Sequence, residues 1–400
     1  MSLQYYRRPA MPLSFDIAIL GLGAVGSWAL QAAVAQKLRA VGVERFGLGH
    51  SRGSSHGGAR VTRSAYFEHP DYVPLIRWST GRLEALEKIA GCPLLERCGT
   101  LLLGEEESSL LIRSSKSARQ FGIATEQIPA AELRTRFPQF DLPKSFVGLL
   151  EPDAGFVRVE PSLVAARRQA QELGAHVLDN TEVKGLISTA DGVIIQTSSK
   201  ELIARAVVIC AGAWTPEFLP ELRPWLNVTR QVQAWIRSPS HATPRITPDA
   251  MPCWLIDRPG QPPLYGIPHD PLDPTRGAKI AVHGDGVRTT PTAVSRAVLP
   301  AEDAALQHLV ERWLSRTQAK VSASNVCLYT STADGHFIVE TTPKDPRIAV
   351  VAGLSGHGFK MAPALGYAGV ELALHGRSTL PIRFLSRRGR SPFGGAAPRA

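Results

Sequence analysis

Three glycines, Gly21, Gly23 and Gly26, are followed eighteen residues later by a carboxylate, Glu44. In this spacing the first glycine permits a tight turn, the second lets the backbone approach a pyrophosphate, and the third lets a helix pack closely on a strand. Free N–H groups at a helix start meet phosphate charge, and Glu44 would accept from ribose hydroxyls, which argues against a 2′-phosphate. The set implies a bound dinucleotide, and the glycines alone do not separate NAD from FAD. Arg60 and Arg63 end a glycine- and serine-rich loop that begins at Gly47. Their spacing suits neither one strand face nor a salt-bridge ladder. After a glycine loop they read as anion contacts, arginine being suited to bidentate carboxylate binding. A second glycine loop, Gly353-Leu354-Ser355-Gly356-His357-Gly358-Phe359-Lys360, precedes a helix whose start could face another anionic or electron-rich group.

The elements that must position these residues follow from periodicity. Residues 15–20 are apolar, too short for a helix and bounded by glycine, so they form a buried strand. A helix over residues 27 to about 39 and a strand Ala40–Val43 complete the unit. Helices are expected at Tyr72–Ala90, 106–120, 130–137, 160–174, 302–315 and from the second glycine loop to about His375. Strands are expected at 99–103, His176–Leu178, 182–187 and Ile348–Ala352, with a hairpin turning at Ser198-Ser199. The hairpin's return strand, 206–210, ends in Ala211-Gly212-Ala213, small residues that suit a backbone close to a ligand. A nucleotide fold resumed this late requires a second domain inserted in it. The proline-rich stretch 231–300, with β-type runs QVQAWIR, CWLID, PLYGIP and AKIAVHG, is its main sheet.

A chain of 400 residues suits two interleaved domains, and no apolar run approaches the eighteen residues of a membrane span. The net charge of +10 would suit nucleic acid, but Arg7, Arg8, Arg383, Arg387, Arg388, Arg390 and Arg399 are terminal, and no acid follows Glu371. Solvated ends explain the excess, and neither nucleic acid nor membrane is an expected partner. The first fourteen residues lack the apolar core of a signal peptide and are expected to be a flexible lead-in. Five cysteines without CxxC or metal-ligand spacing point to a reducing, cytoplasmic setting with no disulfide framework and no metal.

Six segments in one order, the first loop with Glu44, HGGARVTRSAY, AKIAVHG, Cys327-Leu328-Tyr329, DGHFIVE and AGLSGHGFK, carry a resemblance across residues 15–375. Together they resemble the monomeric sarcosine oxidase and N-methyltryptophan oxidase family of flavoproteins. The resemblance implies an α/β fold: an FAD-binding Rossmann-like domain of glutathione-reductase type with an inserted substrate domain on a mainly antiparallel mixed sheet. The expected boundaries are a lead at 1–14, an FAD domain at 15–80 with 155–220 and 322–376, a substrate domain at 81–154 with 221–321, and a basic tail at 377–400. It implies FAD joined covalently through Cys327, a small amine or amino-acid substrate oxidised to an imine, O2 reduced to hydrogen peroxide, and a monomer. Arg63 and Lys360 match the ligands of the substrate carboxylate, Arg60 the arginine set against the flavin, and Lys279 the lysine for oxygen reduction. Tyr265 and Tyr329 match cavity tyrosines, and His283, four residues beyond Lys279, is expected on the same sheet face as a third catalytic group. Gly21, Gly23, Gly26, Glu44, Ser54, Cys327, Gly356, His357, Gly358 and Lys360 are the expected cofactor contacts. His56 also matches, with a structural role equally open, and Asp334 and His336 are expected to be structural. Two departures bear on the substrate. The loop HDPLDPTRG after Pro268 is longer than usual, and the pocket segment Met251-Pro252-Cys253-Trp254 matches neither named oxidase, so the side-chain preference stays open. The alternatives are a same-fold enzyme for a cyclic or glycated amino acid or with another electron acceptor, and an NAD-binding sensor or nucleic-acid module.

Overall fold

The computed structural model describes residues 13–284 and 286–394. Most of the lead-in, with Arg7 and Arg8, and the end of the basic tail, with Arg399, lie outside the described residues.

Strand Leu13–Leu20 has parallel neighbours on both sides, Ala40–Val43 and Glu201–Ile209. Ile17, Ala18 and Ile19 are wholly buried, as expected of a central strand covered on both faces. His176–Leu178 extends the sheet beyond Ala40–Val43. The other edge of Glu201–Ile209 is shared: residues 201–204 pair with antiparallel Val193–Thr197, residues 207–209 with parallel Ile348–Ala352. Val183–Ser188 and Ile338–Thr341 complete eight strands. Helix Ala24–Ala35 packs against Ala362–His375 and Val159–Glu172. The first crossing is close because Gly366 lacks a Cβ, which would stand 2.6 Å from the Ala29 nitrogen.

The second sheet has nine strands. Its order runs Val287–Arg288, Asn227–Arg237, Ala278–Val282, Gln261–Ile267, Cys253–Arg258, Thr100–Glu105, Phe146–Glu151, Glu126–Ile128, with Lys320–Ser331 also on Asn227–Arg237. Only Cys253–Arg258 and Thr100–Glu105 run parallel, so the sheet is mixed and mainly antiparallel. A three-stranded sheet, Ala59–Thr62, Gly155–Arg158 and Leu95–Glu96, carries Arg60.

Two expectations change. Lys320–Ser331 is hydrogen-bonded along Asn227–Arg237, whereas the sequence reading gave residues 322 onward to the nucleotide domain. Because that pairing runs as far as Ser331, we propose a division after Ser331, leaving the other limits as read. The described part of the basic tail is partly docked, with Arg383 and Arg388 exposed as expected. Arg387 pairs with Glu340 and Arg390 with Asp334, and Leu385 is fully buried. No helix among the described residues is long and apolar enough to cross a membrane, and no group of His, Cys, Asp and Glu among them could hold a metal ion.

Candidate active site

Two cavities meet at Arg60, Tyr329, Gly356 and Phe359. The longer, about 190 Å³, runs from the first glycine loop past Glu44 and Ser54 to Cys327. The smaller, about 70 Å³, is walled by Phe67, Leu255 and Tyr265 and carries Arg63, Glu68, His283, His357 and Lys360.

The long cavity is shaped by missing side chains. Gly21, at φ +89°, approaches the Cys210 carbonyl so closely that a Cβ would lie 2.7 Å from its oxygen, and a Cβ on Gly26 would strike the Gly21 oxygen at 1.7 Å. Leu22 N–H donates to Glu44 Oε2 at 2.8 Å, Phe46 N–H to Oε1 at 3.1 Å, and His50 Nε2 lies 3.3 Å from Oε1. Burial pushes the Glu44 carboxyl up, but these contacts outweigh it and hold the group below the usual carboxylate range. A carboxylate has roughly four acceptor positions, so capacity for hydroxyl donors remains. Ser55, absent from the sequence reading, accepts from Ala24 N–H at 2.9 Å at the helix start. Arg167 was also missed. It is buried, and its Nη1 lies 3.3 Å from the Leu22 carbonyl oxygen and 3.5 Å from Ser27 Oγ. No carboxylate forms a salt bridge with it among the described residues, and burial pushes its pKa down. The signal was present: Arg167 falls on the apolar stripe of Leu163, Ala166 and Ala170, where a cation is out of place without an anion.

At the junction, Cys327 is buried on its strand, with Sγ 4.0 Å from Arg60 Nη2. Arg60 donates to the carbonyls of Ala59, Ser54 and His56 at 2.9, 2.9 and 2.8 Å and forms no salt bridge among the described residues. The loop before it turns through Gly57 and Gly58, at φ +90° and +82°, whose N–H groups donate to Glu160. Ser54 donates its hydroxyl to the Leu328 carbonyl. Lys279 is buried and its Nζ donates to the carbonyls of Gly57 and Ala59 at 3.1 and 3.3 Å. Burial and then Arg60 hold its pKa well below the ordinary lysine value. His56 is buried beside these cations, its Nε2 has no partner among the described residues, and burial, then Arg60 and Lys279, push it down to about 3.

In the small cavity Arg63 is buried and clamped bidentately by Glu68 at 2.9 and 2.7 Å, under the Phe67 ring at 4.1 Å. Burial raises the Glu68 carboxyl, but Arg63 foremost, then His357 and Lys360, bring it down to about 2. Lys360 Nζ donates to the His357 carbonyl at 3.1 Å and to Tyr66 OH at 3.4 Å, and burial with the Arg63 charge lowers it to about 7. The His357 Nε2 lies 3.0 Å from the Gly335 oxygen, so it carries the proton and Nδ1 accepts from Tyr66 OH at 2.6 Å. His283 Nδ1 lies 3.3 Å from Tyr329 OH, and its ring meets Tyr265 edge-on at 6.4 Å. Gly356 must be glycine, since its Cβ would stand 2.2 Å from the Tyr329 ring.

Several expected positions differ. His357, expected at the cofactor, borders the small cavity and not the long one. Only His283 of the Lys279/His283 pair borders the cavity, because the strand ends at Val282 and the alternation stops there. Met251, Cys253 and Trp254 are core, and no residue of the 268–277 loop borders the small cavity. That loop instead reaches the start of helix Val159–Glu172, with Arg276 3.4 Å from Glu160, the carboxylate that accepts from Gly57 and Gly58. Glu68 was missed, although an acid five residues after Arg63 was its signal.

Glu68 makes Arg63 self-satisfied. Glu68→Gln removes one partner of this mostly buried pair and is expected to cost about 1–3 kcal/mol of ligand-free stability. Thermal unfolding should then show a lower Tm and a larger upward shift on adding a carboxylate ligand than in the wild type. An unchanged Tm and an unchanged ligand shift would show that Glu68 does not restrain Arg63.

A glycine cradle with a lone buried arginine, opening onto a chamber of paired cations, defines a dinucleotide-dependent oxidoreductase. The model of the family described as FAD dependent oxidoreductase matches residues 16–372, and the chain belongs to that family. It is 34% identical over 380 residues to monomeric sarcosine oxidase of Streptomyces avermitilis, covering 94% of this chain and 98% of the relative. It is 30% identical over 374 residues to N-methyl-L-tryptophan oxidase of Salmonella dublin, covering 92% and 97%. Among solved structures, NikD, an amino acid oxidase of nikkomycin biosynthesis, superposes with a TM-score of 0.82 at 22% identity over 97% of this chain and all of that one. L-proline dehydrogenase from P. horikoshii superposes at 0.81 with 19% identity, over 95% and 100%. These two establish the fold. The residues present fit FAD: the cradle that Cβ atoms would fill, with Arg167 near the phosphate loop and Arg60 at the junction, neither in a salt bridge among the described residues.

Proposed function

We propose that this chain oxidises the C–N bond of a secondary or N-methyl amino acid to an imine, with electrons passing to O2 and hydrogen peroxide released. The observation that carries the reading is the pairing of Arg63 and Lys360 in a 70 Å³ chamber that opens at Arg60 and Tyr329 onto the dinucleotide cavity. The names of the two curated relatives and the aromatic walls of the chamber support it. FAD, when bound, supplies the two-electron acceptor. Gly21, Gly23, Gly26, Glu44, Ser54, Arg167 and Gly358 would hold it, and Cys327 would be its covalent anchor. We move His357 to the substrate side, where its carbonyl and Tyr66 orient Lys360.

In this reading Arg63 and Lys360 bind the substrate carboxylate and fix the amine end toward the junction, so orientation lowers the barrier. Substrate must compete with Glu68 for Arg63, so bound substrate and the internal carboxylate share the two cations. Arg60, Arg63 and Lys360 outnumber Glu68 and favour a neutral amine, because nearby cations lower an ammonium pKa. No separate general base is needed; Tyr265, Tyr329 and His283 shape the wall and exclude water. A monomeric cytoplasmic protein belongs to the same reading, the first part supported by the name of the Streptomyces avermitilis relative.

A screen of peroxide release over N-methyl, cyclic and glycated amino acids tests the activity. Cys327→Ala tests the anchor: wild-type protein is expected to keep flavin fluorescence on a denaturing gel, and the variant to release all its flavin in acid. Full release from the wild type refutes covalent attachment at Cys327.

A further inference from the structure

Two thiols outside the site remain unused. Cys98 Sγ and Cys253 Sγ lie 3.9 Å apart, and both are free. Their segments are hydrogen-bonded directly, Cys253 N–H donating to the Gly99 carbonyl at 3.0 Å, with Cys253 opposite Thr100 in the parallel pair. Cys253 stands opposite Thr100, two residues along from Cys98, so the closeness of the pair rests on the 3.9 Å between the sulfurs. A disulfide needs Cα atoms roughly 4.4–6.8 Å apart, so closure takes side-chain rotation together with adjustment at Cys98-Gly99, just ahead of strand Thr100–Glu105. The pair also lies against the catalytic region. Cys253 and Cys98 pack with Ala59 and Val61, the residues flanking Arg60, and the Ala59 carbonyl accepts from Lys279.

We propose that Cys98 and Cys253 form a peroxide-oxidisable dithiol, a modification site that closes to an intramolecular disulfide. The two thiols differ in the way an attacking and a resolving cysteine must. Cys98 is partly exposed, whereas Cys253 is wholly buried. The hydrogen bond with Cys253 pulls the Cys98 thiol below its ordinary value against burial, and burial pushes Cys253 well above it. The Cys98 thiolate attacks one peroxide oxygen; the O–O bond breaks, a sulfenic acid forms, and hydroxide leaves to take up the thiol's proton as water. The Cys253 sulfur then attacks the sulfenic sulfur, the S–S bond forms, the S–O bond breaks, and its proton leaves with a second water. Two thiols lose two electrons and one peroxide gains them. The source of peroxide rests on the oxidase reading; the chemistry of the pair does not.

The test treats the flavin-loaded protein with hydrogen peroxide in one arm and with turnover substrate and oxygen in another, followed by peptide mapping without reduction. Expected is a Cys98–Cys253 linked peptide, an intact mass lower by two hydrogens, and reversal by dithiothreitol. Cys98→Ser should abolish the link and leave the initial rate unchanged, and Cys253→Ser should leave a sulfenic acid at Cys98 that dimedone traps. A link formed by added peroxide but not during turnover supports the pair and counts against peroxide as the enzyme's product. Absence of the link in the peroxide arm, or dimedone labelling elsewhere than Cys98 in Cys253→Ser, overturns the proposal.

Discussion

Arg63→Ala is expected to raise KM for a carboxylate substrate by ~10²-fold or more while changing that of the matching carboxamide only a few-fold. Arg63 is 4% exposed and meets both oxygens of the Glu68 carboxylate through Nη2, while Nη1 donates to the Ala65 carbonyl, so removing it takes away the charge-assisted donor that offsets desolvation of a carboxylate there. Breaking a buried pair costs about 3–5 kcal/mol, and each ~1.4 kcal/mol is tenfold. The variant also leaves Glu68 beside Lys360, so the double variant Arg63→Ala/Glu68→Gln should recover part of the loss. Lys360 adds a pH dependence with a fixed sign. Burial first, then Arg63, hold its pKa at about 7, so the ammonium is present below that pH and lost above it. Affinity for carboxylates should therefore fall as pH rises through about 7, the bound anion moving the break upward, and the carboxamide should show no such fall. In Lys360→Met the slope should vanish. Equal losses for acid and amide in both variants would remove the carboxylate-binding role from these residues.

How much of this could be read without coordinates depends on whether the signal was local. Ala40–Val43, Tyr72–Ala90 and Ile348–Ala352 have the limits that periodicity assigns them, because each is a continuous apolar run or a full helical repeat, and His176–Leu178 has its expected limits too. Ala59–Thr62 was hidden by the glycines before it, and only its pairing with Gly155–Arg158 makes it a strand. Lys320–Ser331 opens with a mostly polar half, so its membership of the second sheet is set by Asn227–Arg237 and not by its own pattern. The site divides the same way. Gly21, Gly26 and Gly356 were legible because missing side chains leave a mark in sequence, and the coordinates supply the clashes that a Cβ would cause. Glu68 and Tyr66 act through partners brought in by folding: Glu68 holds Arg63, and Tyr66 bridges His357 and Lys360. Met251-Pro252-Cys253-Trp254, expected as a pocket segment, borders neither cavity. Trp254 instead fills the space over Gly266, where a Cβ would stand 2.3 Å from its ring. A residue's type announces what it can touch, and only the fold decides what it does touch.

Lys279→Met is expected to separate the two halves of turnover. Under anaerobic conditions with substrate, bleaching of the bound flavin should proceed within about tenfold of wild type, a change of ~1.4 kcal/mol. Reaction with oxygen should slow by ~10²-fold or more, the scale of losing one placed donor to a developing charge. The reason lies in where the amine sits. Lys279 Nζ is 3.1 and 3.3 Å from two carbonyls flanking the turn into Arg60, borders neither cavity, and forms no salt bridge among the described residues. It is therefore far from the carboxylate-binding pair in role, and its loss leaves Arg63, Glu68 and Lys360 intact. Burial and Arg60 hold its pKa well below the ordinary lysine value in the ligand-free protein. Negative charge developing near it, as when oxygen takes its first electron, would raise that pKa and favour the ammonium. The carbonyls of Gly57 and Ala59 accept from the resulting ammonium and fix its position, so little reorganisation accompanies the charge. Lys279→Arg, which keeps charge but not the small ammonium shape, should recover only part of the oxygen rate. Stopped-flow absorbance of each half-reaction decides the matter. If Lys279→Met reacts with oxygen as fast as wild type while reduction by substrate collapses, the amine serves substrate oxidation and the oxygen role passes to another cation at the junction, with Arg60 the first to examine.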